Sequence, residues 1–156
     1  LPEAHETFAM SNPKSTLSIA GHPLHPMIVP LAIGFYFGVF GADLVYAHTA
    51  DLFWARMAFW LLAAGFVMSS LASLGGSIDF IGDPAIRQIG AAWWHFGGNA
   101  LVGLVSATDL YLRYVDGAET GSHNFLWMSA LVAVLLIFTG WMGGQMVFKY
   151  RVGVRD

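Results

Sequence analysis

Four stretches of the chain stay apolar for the length of a bilayer crossing: Met27–Ala47, Trp54–Leu74, Trp93–Tyr114 and Phe125–Phe148. A helix needs about 20 mostly apolar residues to span the hydrocarbon core, so the pattern predicts an all-α fold, an integral membrane four-helix bundle running up-down-up-down. The polar breaks are "HTADLF", "DGAETGSHN" and a longer "GGSIDFIGDPAIRQIGAA". Short breaks of this kind make consecutive helices antiparallel neighbours. Residues 1–20 and 151–156 read as tails around a helical domain over 21–150. No internal repeat of the first and fourth spans shows in the second and third.

Composition agrees with the pattern. Of 156 residues, 56% are hydrophobic and 11% charged, with a mean hydropathy of +0.61, whereas a soluble domain carries about 25% charged residues. The lipid bilayer is therefore the first partner, and a net charge of −3 argues against nucleic acid. The absence of cysteine removes iron–sulfur clusters, thiolate metal sites, c-type haem attachment and disulfides. Leu1 points to a processed or partial start, with Met10 as an alternative, and residues 1–20 lack a signal peptide's basic-then-apolar order.

Trp54, Trp60, Trp93, Trp94, Trp127, Trp141, Tyr114 and Tyr150 fall near the span ends, where amphipathic rings anchor a helix at the interface. Lys14, Arg87, Lys149, Arg151 and Arg155 gather on one side and only Arg56 and Arg113 on the other. The positive-inside rule then places both termini in the cytoplasm.

In this topology one membrane face collects His22, His25, Asp79, His95, Asn99 and Gln145. Spans one and three lie diagonally, so His25 and His95 can face each other, and Asn99 shares a helix face with His95. Ionisable groups inside a membrane are costly and mark function by default, although a single interfacial histidine is more simply read as a cap or a snorkelling group. His22 and His25 each precede a proline, which pushes them toward extended backbone, with Pro26 opening the helix.

Gly34, Gly38, Gly41, Gly97, Gly98, Gly103, Gly140, Gly143 and Gly144 let helices approach closely, or clear a flat space for a macrocycle. At the opposite face Asp43, Arg56, Asp109 and Arg113 balance in sign and read as structural pairing, or as a lock between spans one and three. His5, His48 and His123 read as tail or loop residues.

The stretches "GHPLHPMIVPLAIG", "LGGSIDF", "WWHFGGNALVGL" and "GWMGGQMVFKYRVGV" resemble the bacterial membrane family known as domain of unknown function 2231, over Gly21 to Val154. Its recurring positions fall on His22, His25, Asp79, His95, Asn99, Gly143 and Gly144. Phe80 stands where a tryptophan often follows the aspartate, and Gln145 where glutamate is common, so Gln145 supplies no carboxylate. The resemblance implies an association with soluble redox partners.

These readings converge on a membrane-embedded b-type haem subunit that carries electrons between a redox partner and the quinone pool or a terminal acceptor. His25 and His95 are the expected axial ligands of the haem iron, with His22, Asp79 and Asn99 around them. Arg87 or Lys14 could meet haem propionates. Two alternatives stand: a zinc, iron or copper ion held by His22, His25, Asp79 and His95, and a cofactor-free anchor or accessory subunit of a larger complex. No residue set implies a bond-making reaction of its own.

Overall fold

A computed structural model describes residues 12–13, 18–19, 22–117 and 123–154, with side chains at 12–13, 23–117 and 125–154. A two-residue antiparallel pair, β1 (Ser18–Ile19) with β2 (His22–Pro23), leads into α1 (Leu24–Thr49). Then follow α2 (Leu52–Gly82), the single-turn α3 (Pro84–Arg87), α4 (Gly90–Asp116) and α5 (His123–Phe148). α1 and α4 each pack against both α2 and α5. The start of α1 meets the end of α2, the start of α4 meets the end of α5, and the ends of α1 and α4 meet each other. The four long helices therefore form the expected up-down-up-down bundle, with α1 and α4 on one diagonal.

Local chemistry sets the helix limits. Ala50 turns left-handed at φ 54 and returns its N–H to Tyr46, after which the Asp51 carboxylate caps α2 through the Phe53 N–H at 3.0 Å. α2 runs through Gly82, two turns beyond the apolar stretch that predicted it. Ser77, Ile78, Asp79 and Phe80 are thus helical, and the expected long connection shrinks to a short link carrying α3. Pro84 disfavours helical backbone at Asp83, and Asp83 caps the next turn through the Ala85 N–H at 2.8 Å. Arg87 closes α2 by donating from Nη1 to the carbonyls of Phe80 and Ile81, at the negative end of the helix dipole.

One expectation about the start of α1 needs correction. His22 is extended in β2, but His25 is already helical. Pro26 sits in the first turn, where N–H groups have no helical partner to lose, so the proline tolerates a helix that began two residues earlier.

Three helices have both the length and the apolarity to cross a membrane: Leu24–Thr49, Leu52–Gly82 and Phe125–Phe148, with hydropathies of 1.9, 1.8 and 2.1. α4, expected as the third of four spans, is long enough at 27 residues but is less apolar. The reason is its sequence, which carries His95, Asn99, Ser106, Asp109 and Arg113, the last three buried.

Trp60, Leu104, Ile137 and Trp141 point outward, while Tyr36, Val39, Leu62, Val102, Val132 and Leu136 form the central core. A smaller cluster of Phe80, Ile86, Ile89 and Ala92 closes the end where α3 lies. In lipid there is little hydrophobic drive between helices, so close packing must hold them. Gly38 takes the Leu61 side chain, Gly65 takes Tyr36, and Gly98 takes Thr139. Gly34, Gly41, Gly97, Gly103 and Gly140 meet nothing within 4 Å.

The chain tails join at the same end as α3. Asn12 donates to the Val154 carbonyl at 3.2 Å, and the Gly153 N–H reaches the Pro13 carbonyl at 2.8 Å.

The bundle has an internal repeat that pairs α1 with α4 and α2 with α5. Arg113 and Asp43 are 70 residues apart, and the same offset relates His25 to His95, the buried Tyr36 to Ser106, and the buried Val39 to Asp109. In the other helices the buried Ala58, Leu62 and Ala72 correspond to the buried Phe125, Ser129 and Thr139. The two hairpins are thus equivalent in register while differing in nearly every side chain.

Candidate functional site: a paired histidine seat

His25 leaves the first turn of α1 and lays its ring on α2. Its Nδ1 lies 2.7 Å from the Ala72 carbonyl, and a Cβ on Gly76 would come within 3.1 Å of the ring. His95 does the same from α4 to α5: Nδ1 is 2.8 Å from the Thr139 carbonyl, and a Cβ on Gly143 would come within 2.9 Å of the ring. In both cases the glycine follows the accepting carbonyl by four residues, one helical turn. Only the missing side chain lets an imidazole lie flat enough on the partner helix to reach that carbonyl.

A carbonyl can only accept, so each Nδ1 carries the proton and donates it. In the neutral ring, Nε2 is then left with an open lone pair. The two rings meet across the diagonal with centroids 6.0 Å apart and planes at 85°. Two imidazole nitrogens each about 2.0–2.1 Å from one metal, on opposite sides of it, place their ring centroids roughly 6 Å apart. The donor chemistry and the separation would suit a metal held by the two rings on opposite sides of it. Fixing Nδ1 on a backbone carbonyl is the usual way a ligating imidazole is oriented.

The other expected site residues divide. Asn99 donates from Nδ2 to the His95 carbonyl at 2.7 Å, so it braces the helix turn under His95. Asp79 is half-buried on α2, three residues past Gly76, and is engaged in an interaction of its own. The side chain of His22 lies outside the described residues, as do Lys14 and His5. Arg87 is committed to the end of α2. Among the described residues, no group of three or more His, Asp or Glu is placed to hold a metal ion. Phe80 stacks on Phe96 at 4.8 Å and meets Trp93 edge-on at 4.9 Å, joining the end of α2 to the start of α4.

Two features escaped sequence reasoning. Gly76 sits in "LGGSIDF" and signals nothing there, and the accepting carbonyls of Ala72 and Thr139 belong to the backbone, which no side chain announces. The four-residue spacing from acceptor to glycine becomes visible only once the rings have been placed on those carbonyls.

At the far end of the same diagonal, the expected lock between α1 and α4 is present. Arg113 forks onto Asp43, Nη1 to Oδ1 at 2.9 Å and Nη2 to Oδ2 at 2.6 Å, and its Nε donates to Asp109 Oδ1 at 2.9 Å. The guanidinium lies over the Phe125 ring at 4.6 Å. Midway, the Tyr36 hydroxyl bonds Ser69 Oγ at 2.8 Å, with Ser106 nearby on α4. His25, Tyr36 and Asp43 fall on one face of α1, since the 18 residues from first to last make about five turns and about 27 Å. The buried diagonal is therefore a polar axis with a histidine pair at one end and an ion cluster at the other.

A family model described as "Predicted membrane protein (DUF2231)" matches residues 21–156. No curated protein and no solved structure matches the chain.

Proposed function

The chain belongs to the DUF2231 family of predicted membrane proteins, and on that premise we propose that it is a membrane-embedded b-type haem subunit that relays electrons. The observation that carries this reading is the histidine pair: two imidazoles from diagonal helices, both locked by Nδ1 on a carbonyl, 6.0 Å apart. His25 and His95 would hold the iron. When bound there, haem supplies a one-electron couple whose potential follows its axial ligands and burial.

The protein's own contribution is orientation. Gly76 and Gly143 admit the rings, the Ala72 and Thr139 carbonyls fix the tautomer, and Asn99 stiffens the turn beneath His95. The apolar exterior suits the bilayer and access to quinone, and the resemblance to a family associated with redox modules supports a soluble or membrane-bound redox partner. Arg87, Lys149 and Arg151 lie at the histidine end and Arg56 at the other, which favours a bacterial inner membrane with the histidine end and both termini in the cytoplasm.

The test is an optical spectrum, oxidised and dithionite-reduced, of protein purified from haem-replete cells. Near-stoichiometric haem with the sharp reduced bands of bis-imidazole ligation is expected, and it should be lost in both His25→Ala and His95→Ala. No haem in the folded wild type would overturn the proposal. Metal analysis of the same sample then separates a bare zinc, iron or copper ion from a cofactor-free scaffold.

A further inference from the structure

We propose that the buried cluster of Asp43, Arg113 and Asp109 binds one exchangeable proton, so that two carboxylates and one guanidinium together carry no net charge. The argument is a charge count in a place shielded from bulk solvent. Asp43, Arg113 and Asp109 are only 4%, 3% and 1% exposed. The guanidinium is matched by Asp43 through a two-pronged contact of 2.9 and 2.6 Å, the strongest geometry such a pair adopts. Asp109 receives Nε at 2.9 Å and, at 3.3 Å, an Nη2 already committed to Asp43. An ionised Asp109 would be a second anion leaning on one cation. Charge buried in excess of its partners is strongly disfavoured within a membrane, and neighbouring carboxylates resist ionising together.

Arg113 is the cation that both carboxylates share. From α5 the ring of Phe125 covers the guanidinium, and the Ser129 hydroxyl is spent on the Leu126 carbonyl. From α2 the buried positions near this end are Ala55 and Ala58, while Arg56 is exposed and engaged in an interaction of its own. α1 contributes Asp43. On α4, three residues before Asp109, Ser106 is fully buried and its Oγ has no partner of hydrogen-bond geometry, although Tyr36 is near it. That unsatisfied hydroxyl extends the polar interior from Asp109 toward the middle of the bundle.

Asp109 Oδ2, which accepts only the long bond, is the atom to carry the proton. The proton comes from water at the adjacent rim and returns there, and no other bond changes. This inference does not depend on the haem reading, because the two sites lie at opposite ends of the diagonal.

The experiment is infrared spectroscopy of the full chain in lipid vesicles at neutral pH, in H2O and D2O. A protonated-carboxyl C=O band that shifts down in D2O is expected in the wild type. It should vanish in Asp109→Asn, which leaves Asp43 ionised against Arg113. It should vanish equally in Asp43→Asn, because Asp109 then has the guanidinium to itself and gives up its proton. Absence of the band in folded wild-type protein, or its survival in either variant, overturns the proposal. The wild-type spectrum alone is decisive where a variant fails to fold.

Discussion

Gly143→Ala tests the histidine seat directly, and its cost can be worked out. The new Cβ would lie 2.9 Å from His95 Cε1 and 3.1 Å from Nδ1, whereas comfortable carbon contacts begin near about 3.5 Å. The ring must retreat by roughly half an ångström, which stretches its 2.8 Å bond to the Thr139 carbonyl beyond the ~3.2 Å limit of a good N–H···O contact. That loss is about 1 kcal/mol, and overpacking adds about 1–3 kcal/mol. Alanine's better helix propensity returns about 1 kcal/mol, leaving a net destabilisation of about 1–3 kcal/mol. Gly140→Ala is the control: on the same helix a Cβ there meets nothing within 4 Å, so only the propensity gain remains. Unfolding free energies in mixed micelles, with the 15N shifts of the His95 ring, read both effects. Equal stability of the two variants with an undisturbed Nδ1–H bond would show that Gly143 does not seat the ring.

Arg113→Met strands the ionised Asp43 carboxylate in a buried site and should cost about 3–5 kcal/mol of unfolding free energy. Arg113→Lys should recover little of it, because an ammonium cannot make the two-pronged contact with Asp43 while also serving Asp109; full rescue by lysine would contradict the geometry. Tyr36→Phe removes the 2.8 Å bond to Ser69 and should cost about 0.5–1.5 kcal/mol, measured in the same micelle titration. A larger loss would mean that the hydroxyl also supports Ser106.

The bundle was legible because a bilayer crossing leaves a long apolar signature, and the diagonal placement of His25 and His95 followed from short connections alone. What the pattern misjudged were places where local chemistry overrules hydropathy. α2 passes its apolar stretch because Ile78, Phe80 and Ile81 continue it and nothing breaks the helix before Pro84. α4 falls short of span-like apolarity because its inner face is the polar one. The lock at Asp43, Asp109 and Arg113 could be read from sign balance and a four-residue spacing, yet its second carboxylate matters only once burial is known.

The internal repeat explains why the two ends of the diagonal belong together. Repeated sequence is normally sought as repeated residues, and here Tyr36 answers to Ser106 and Asp43 to Arg113, so identity is lost while register is kept. What register preserves is position on a face: a group at the start of α1 and its counterpart on α4 must meet, and so must the groups about five turns later. At one end the counterparts are alike, two imidazoles that meet edge-on with centroids 6.0 Å apart. At the other end they have become opposite, an aspartate and an arginine, and satisfy each other directly. The same geometry therefore sets two like rings against each other at the histidine end and a fixed lock at the other, where Arg113 holds Asp43 through both oxygens and Asp109 through Oδ1.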